Sequence, residues 1–127
     1  MRKNIVLVVD DNPANADLVS FILAKKGYEV HVAADAAEAL AVVTDFSPHL
    51  IMMDLQLPGM DGLTLTRQLK ADAATRKIIV IALTAYAMKG DEQRAREAGC
   101  DGYISKPINT RTLPGIVGEY LPVLSDS

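Results

Sequence analysis

The chain has 127 residues, with 13 Lys and Arg residues against 16 Asp and Glu residues, so its formal net charge is −3. A chain of this length forms about one domain, mild acidity argues against a dedicated nucleic-acid binder, and a single cysteine excludes an internal disulfide. No apolar run approaches the ~18 residues of a membrane span. We therefore predict one soluble, cytoplasmic domain over residues 1–127, with no direct nucleic-acid binding and no membrane insertion.

Short apolar runs recur along the chain and predict the strands of a sheet. Successive runs start 22 to 28 residues apart, which leaves room for one helix between neighbours and predicts an α/β fold built from βα units. The first and fourth runs are continuously apolar, as in a parallel sheet covered on both faces. The predicted strands are Ile5–Val9, Tyr28–Ala33, Leu50–Met53, Ile78–Leu83 and, more weakly, Gly102–Ile104.

Capping residues between these runs predict five helices. Asn12-Pro13 combines an N-cap with a proline at the first helical position, and Gly27 provides a left-handed stop. Asp35 followed by Glu38 has the spacing of a capping box. The predicted boundaries are Asn12-Pro13 to Gly27, Asp35 to Ser47-Pro48, Asp61-Gly62 to Leu69, Asp91 to Gly99, and Asn109 to Leu121. In the last of these, Pro114 does not suit a helix interior, so its regular part is expected to begin near Thr112 or Leu113.

Polar side chains follow at or near the ends of four of the predicted strands. Asp10-Asp11 follows the first strand, Asp54 the third, Thr84 the fourth and Lys106 comes just after the fifth. In an open parallel sheet, ligands bind in the crevice beyond the carboxyl ends of the strands. We therefore expect three carboxylates, one hydroxyl and one ammonium group to meet at this edge.

Such a cluster has the chemistry of phosphoryl transfer. Three close carboxylates repel one another unless a cation joins them. Mg²⁺ is suited to the position, because it binds one or two carboxylates and leaves places for phosphate oxygens. Asp54 stands alone at the end of a central strand and is the best candidate for a carboxylate nucleophile.

Four sequence motifs occur in chain order around the ends of the predicted strands. They are VVDDN at Val8–Asn12, MDLQLPGMDG at Met53–Gly62, ALTAYA at Ala82–Ala87 and GYISKPI at Gly102–Ile108. Together they resemble the receiver domain of two-component response regulators. The resemblance extends over about residues 4–121 and is nearest to single-domain regulators of the DivK type and to receivers of hybrid histidine kinases. It implies the flavodoxin-like, CheY-like fold with five parallel strands in the order 2-1-3-4-5.

The resemblance also implies a role for each site residue. Asp54 matches the phosphoacceptor, and Asp10, Asp11, Asp54 and the backbone carbonyl of Gln56 match the Mg²⁺ ligands. The remaining matches are Thr84 as the switch hydroxyl, Lys106 as the phosphoryl-pairing lysine, Tyr103 as the aromatic switch, Pro107 as a cis-proline, and the side chains of Gln56 and Tyr86 as tuners of dephosphorylation.

The implied function is that of a signalling module rather than an enzyme, although the module assists its own phosphorylation and dephosphorylation. A sensor histidine kinase or a histidine phosphotransferase donates the phosphoryl group. The surface of helix 4, strand 5 and helix 5 then binds a downstream protein target. We expect no output domain within the chain.

Two other classes of protein fit parts of the pattern. A phosphatase of the haloacid-dehalogenase type also uses an Asp nucleophile, but it has a second Asp two residues later, where this chain has Gln56. A flavodoxin-like flavin protein has a phosphate-binding loop after the first strand, where the Asp10-Asp11 pair of this chain repels phosphate unless a metal intervenes. The receiver hypothesis explains all four motifs.

Overall fold

The computed structural model describes residues 4–56, 61–84 and 90–122. Strands and helices alternate through the described chain, as the spacing of the apolar runs predicts. The elements are β1 (Ile5–Val9), α1 (Pro13–Lys25), β2 (Glu29–Ala33), α2 (Ala36–Phe46), β3 (Leu50–Asp54), α3 (Gly62–Ala71), β4 (Ile79–Thr84), α4 (Asp91–Ala98), β5 (Gly102–Ser105) and α5 (Leu113–Tyr120).

The five strands form one parallel sheet in the order β2-β1-β3-β4-β5. The predicted CheY-like fold is therefore confirmed. Val9 of β1 is in register with Met53 of β3. Asp10 and Asp54, each one residue further along, consequently stand side by side at the carboxyl edge of the sheet.

Each face of the sheet buries its own apolar layer. Leu7 and Val9 pack against α2, α3 and α4, whereas Val6 and Val8 pack against α1 and α5. These four side chains of β1 are fully buried. The continuous apolar run in β1 is explained by this two-sided burial, because neither face of the strand meets water.

The helix boundaries are set by the local signals that the sequence carries. The side chain of Asn12 accepts hydrogen bonds from the amides of Ala14 and Asn15 at the start of α1, at 3.0 and 3.3 Å. Asp35 accepts from the amide of Glu38 at 2.9 Å and caps α2. Gly27 has a φ of 109°, which is the left-handed conformation that the chain needs after α1.

Three strands extend one residue beyond the predicted apolar runs: β3, β4 and β5. Two of the added residues belong to the predicted site. β3 ends on Asp54, which pairs with Leu83, and β4 ends on Thr84, which pairs with Ser105. The backbone ladder continues through these residues because it does not depend on the polarity of the side chain. The two polar residues are therefore held by the sheet itself rather than by a loop.

The two short helices near the end of the chain differ in composition, because α4 is rich in charged residues and α5 is largely apolar. Ala95 and Ala98 are the buried side chains of α4 among those the structure describes, and its other described side chains are exposed. The proline at position 114 is accommodated in the first turn of α5, as predicted. Within the described residues, no helix has the length and apolarity required to cross a membrane.

Candidate functional site

Three carboxylates meet at the carboxyl edge of the sheet. One oxygen from each of Asp10, Asp11 and Asp54 lies within 4.8 Å of the others. Asp10 and Asp54 are buried, each with 2% of its surface exposed, whereas Asp11 faces solvent. The cluster thus has two buried acidic groups and one accessible acidic group.

Lys106 brings a positive charge to the buried pair. Its Nζ lies 3.1 Å from Oδ2 of Asp54 and 3.5 Å from Oδ2 of Asp10. The backbone amide of Lys106 donates to the carbonyl of Thr84 at 2.7 Å, and the peptide bond to Pro107 is cis. The lysine therefore reaches the site from the loop after β5 and offsets part of the acidic charge.

Both buried carboxylates are oriented by the backbone two residues further on. The amide of Asn12 donates to Oδ1 of Asp10, and the amide of Gln56 donates to Oδ1 of Asp54, each at 2.9 Å. This short turn is one that aspartate commonly forms at the end of a strand. It fixes Oδ1 of each residue, while Oδ2 is the oxygen nearer to Lys106.

One carboxylate oxygen of Asp10 lacks a hydrogen-bond donor among the described residues. Its Oδ2 is buried and accepts no hydrogen bond within the described part of the chain. Burial raises the pKa of the Asp10 carboxyl, the Asn12 amide and Lys106 lower it, and the nearby Asp54 raises it again. A hard cation fits this cluster, because oxygen ligands are those that Mg²⁺ prefers.

The structure describes the other predicted site residues, with one exception. Thr84 is buried at the end of β4, one register position beyond the partner of Asp54. Tyr103 lies on β5, is partly buried and packs against the apolar layer beneath α2, α3 and α4. Gln56 is at the mouth of the site, with its amide bound to Asp54. Tyr86 lies outside the described residues.

Gly62 contributes to the site in a way that the sequence patterns did not indicate. We interpreted this residue only as a helix start, yet it lies against the backbone of Asp54 and Leu55. A glycine at the first position of a helix is a poor helix former, and that is the signal that could have indicated a close approach.

The geometry by itself defines a class of protein. An acidic pocket with a lysine, at the carboxyl edge of a sheet in the order 2-1-3-4-5, belongs to doubly wound α/β proteins that bind a ligand at this edge. The oxygen-rich pocket suits a hard cation, and the lysine suits an anionic group.

Comparison with known proteins narrows this class to one family. Residues 6–117 match the model of the response regulator receiver domain. The polar-differentiation response regulator DivK of Brucella ovis is 44% identical over 116 residues, which are 91% of this chain and 94% of the relative.

Solved structures agree with this assignment. The chemotaxis response regulator CheY4 of Vibrio cholerae superposes with a TM-score of 0.88 at 29% identity, over 94% of this chain and 100% of that one. The receiver domain of a signal transduction histidine kinase from Syntrophus aciditrophicus has a TM-score of 0.85 at 34% identity, over 93% and 89% of the two chains.

The chain belongs to the response regulator receiver domain family. It is a DivK-like signalling module of the two-component kind, so the phosphatase and flavin-protein alternatives are set aside. Receiver domains of this family bind Mg²⁺ at an acidic pocket and interact with histidine kinases or phosphotransfer proteins and with downstream targets. The cluster of Asp10, Asp11 and Asp54 could hold such an ion.

Proposed function

We propose that Asp54 accepts a phosphoryl group from a phosphohistidine, and that the resulting charge switches a binding surface of the domain. One observation carries the proposal. The carboxylate of Asp54 is buried at the end of a central strand, 3.1 Å from the ammonium group of Lys106 and within 4.8 Å of the oxygens of Asp10 and Asp11.

Asp54 is the best nucleophile of the three acids because of its position. It is held by the β3–β4 ladder and by the Gln56 amide, so its carboxylate is already oriented. In the transfer, an Asp54 oxygen forms a bond to phosphorus while the P–N bond to the donor histidine breaks. The histidine nitrogen keeps the bonding electron pair, and the product is an acyl phosphate.

The proposed ligands of Mg²⁺ are the carboxylates of Asp10, Asp11 and Asp54 and the backbone carbonyl of Gln56. When bound, the ion supplies positive charge that offsets the charge of the phosphoryl oxygens. Two observations support this assignment. Oδ2 of Asp10 is a buried oxygen that accepts no hydrogen bond from the described residues, and the exposed carboxylate of Asp11 is one that an entering ion can reach.

Lys106 and Thr84 are the proposed partners of the transferred group. Lys106 already contacts Asp54, so its ammonium group can pair with a phosphoryl oxygen attached there. Thr84 offers a hydroxyl from the neighbouring strand β4, and Tyr103 lies on β5 beside it. We propose that movement of Thr84 toward the phosphoryl group changes the packing of Tyr103.

The surface of α4, β5 and α5 is the proposed binding surface for a downstream protein. The polar composition of α4 supports this proposal, because Ala95 and Ala98 are the buried apolar residues among its described side chains and little apolar packing is lost when such a helix moves. The proposed donor is a sensor histidine kinase or a histidine phosphotransferase in the cytoplasm. The module also assists its own phosphorylation and dephosphorylation.

The duration of the signal is proposed to depend on Gln56 and Tyr86. The side chain of Gln56 stands two residues after the acceptor, where it can orient a water molecule toward the phosphoryl group. Tyr86 is proposed to shield that group. Both roles stay predictions, and we expect Gln56→Ala to lengthen the phosphorylated lifetime and Tyr86→Ala to shorten it.

The decisive experiment replaces the proposed nucleophile. We expect Asp54→Asn to abolish phosphorylation by acetyl phosphate with Mg²⁺, because an amide of the same shape cannot form an acyl phosphate. Mass spectrometry of the intact protein measures the added phosphoryl group. Asp45→Asn, on the exposed side of α2, is the matched control and keeps full labelling. Full labelling of Asp54→Asn would place the acceptor elsewhere.

A further inference from the structure

The first residue of α3 lies unusually close to the backbone of the proposed acceptor. A Cβ atom built on Gly62 would stand 2.4 Å from the carbonyl oxygen of Asp54, 2.9 Å from Cα of Leu55 and 3.0 Å from Cγ of Met53. Two of these three atoms belong to the backbone, so a rotamer change cannot relieve the contact. Position 62 therefore has no room for a side chain unless α3 or the end of β3 moves.

Hydrogen bonds hold Gly62 in this position from both sides. Its amide donates to the carbonyl of Leu55 at 3.2 Å, which ties the start of α3 to the end of β3. The hydroxyl of Thr66, a fully buried residue one turn later, donates to the Gly62 carbonyl at 2.7 Å. Asp61 caps the same helix by accepting from the amide of Thr64 at 2.8 Å.

We infer that Gly62 is a positioning residue for Asp54. Its missing side chain lets α3 pack directly on the strand end, and this contact fixes the acceptor carboxylate relative to Lys106 and Asp10. The role acts through the backbone of Asp54 and Leu55. The inference rests on the proposed phosphoacceptor role of Asp54.

The size of the effect follows from the displacement that a side chain would require. A Cβ contact of 2.4 Å has to lengthen by roughly 1 Å to become an ordinary van der Waals contact. A displacement of about 1 Å between reacting groups can lower a rate by about a hundredfold. The displacement is shared between α3 and β3, so we expect Gly62→Ala to phosphorylate about tenfold to a hundredfold more slowly.

The test separates positioning from a general loss of packing in α3. The rate of phosphorylation by acetyl phosphate is measured at saturating Mg²⁺ for Gly62→Ala and for Leu69→Ala. Leu69 is a buried α3 residue of the same apolar layer. Gly115→Ala on α5 controls for the glycine-to-alanine change itself, because its added Cβ has no described atom within 4 Å apart from the adjoining residues and backbone of its own helix.

We expect folded Gly62→Ala to react slowly, while folded Leu69→Ala and Gly115→Ala react at nearly the rate of the unsubstituted protein. Circular dichroism establishes that each variant is folded under the assay conditions. If Gly62→Ala reacts as fast as Leu69→Ala, α3 alone has moved and the inference is wrong.

A second variant keeps the test informative should Gly62→Ala fail to fold. Thr66→Val conserves volume but removes the hydroxyl that holds the Gly62 carbonyl. We expect it to phosphorylate about threefold to fivefold more slowly, the effect of about one hydrogen bond. An unchanged rate in Thr66→Val, with Gly62→Ala unfolded, would overturn the inference.

The outcome for Gly62 can be distinguished from the outcome for the proposed function. If the unsubstituted protein takes up no phosphoryl group, or if Asp54→Asn takes it up fully, the proposed function fails. If Asp54 is labelled normally and Gly62→Ala matches the Leu69→Ala control, the acceptor assignment stands and the positioning role alone is rejected.

Discussion

Asp10 is a buried acid with a hydrogen bond to one of its two carboxylate oxygens among the described residues. The Asn12 amide binds Oδ1, whereas Oδ2 accepts no hydrogen bond from the described residues. The burial that raises the pKa of this carboxyl also makes its ionised form unfavourable in the folded protein. Without a cation, Asp10 therefore lowers the stability of the fold at neutral pH.

We predict that Asp10→Asn stabilises the metal-free protein. We expect a gain of about 1 kcal/mol at pH 7, the scale of one unmade hydrogen bond of a buried group. A raised pKa in the folded state means that Asp10 regains its proton there as the pH falls, so the gain should shrink toward pH 4. Urea unfolding in a chelating buffer at both pH values measures the difference.

The comparison variant for this experiment is Asp45→Asn, which alters an exposed acid on α2 and should leave the free energy of unfolding nearly unchanged. A loss of stability in Asp10→Asn at pH 7 would contradict the prediction, because it would mean that the ion pair with Lys106 outweighs the burial of the charge.

The proximity of the three charged residues Asp10, Asp54 and Lys106 could be predicted from the sequence, and the structure confirms that they lie close together. Asp10, Asp54 and Lys106 all follow predicted parallel strands, and such strands have their carboxyl ends at one edge. The place of Gly62 in the site could not be predicted in this way. The close approach of its Cα to Asp54 depends on how α3 packs on the sheet, and no local pattern records that distance.

At the scale of elements, Lys70 joins three parts of the molecule. Its Nζ donates to the carbonyls of Ile78 and Arg76, at 2.6 and 3.3 Å, and to Oδ2 of Asp101 at 3.0 Å. The same Asp101 oxygen accepts from the amide of Val80 at 2.9 Å. The Lys70 side chain thus links α3 by hydrogen bonds to the segment at the start of β4 and to the turn before β5.

We predict that Lys70→Met destabilises the fold by about 1–3 kcal/mol, because the Ile78 carbonyl loses a donor in a partly buried place. Methionine preserves most of the apolar stem, so the loss reports the ammonium group. Thermal or urea unfolding measures it, with Lys26→Met at the exposed end of α1 as the control. Equal stabilities of the two variants would show that the contacts of Lys70 contribute nothing.

The sequence predicted most of the helix boundaries but not this connection. Asn12, Asp35 and Gly27 act on their immediate neighbours, so their effect can be read locally. Lys70 resembles any lysine in the last turn of a helix, a position favoured by the helix dipole. Its bond to Asp101 spans 31 residues and follows only from the folded arrangement.

For the whole molecule, we predict that Mg²⁺ raises the unfolding temperature and that Asp11→Ala removes most of this effect. An ion that binds only the folded carboxylate cluster stabilises it by about 2.7 kcal/mol at a hundred times its Kd. Melting curves with and without Mg²⁺ at constant ionic strength measure the shift.

Asp17→Ala provides the control for this measurement, because it removes an exposed acid of α1 and should keep the full response to Mg²⁺. If Asp11→Ala is stabilised as strongly as Asp17→Ala, the ion binds at another place.

Two different observations on the sequence predicted the architecture: the spacing of the apolar runs and the family resemblance. The spacing of apolar runs predicted alternating strands and helices, because each parallel crossover needs a connection of at least about a dozen residues, usually a helix. The order β2-β1-β3-β4-β5 came from the family resemblance. Spacing alone cannot supply it, since a strand can be added at either edge of a sheet without changing the length of its connection.

The pairing of β1 with β3 has a consequence for how the pocket forms and is lost. Asp10 and Asp54 come from strands that are neighbours in the sheet but are separated along the chain by β2 and two helices. A contiguous chain segment that comprises only β1 and α1 contains Asp10 but not Asp54. A partially unfolded state that breaks the β1–β3 ladder therefore cannot retain the cation site, so bound cation reports an intact sheet centre during refolding.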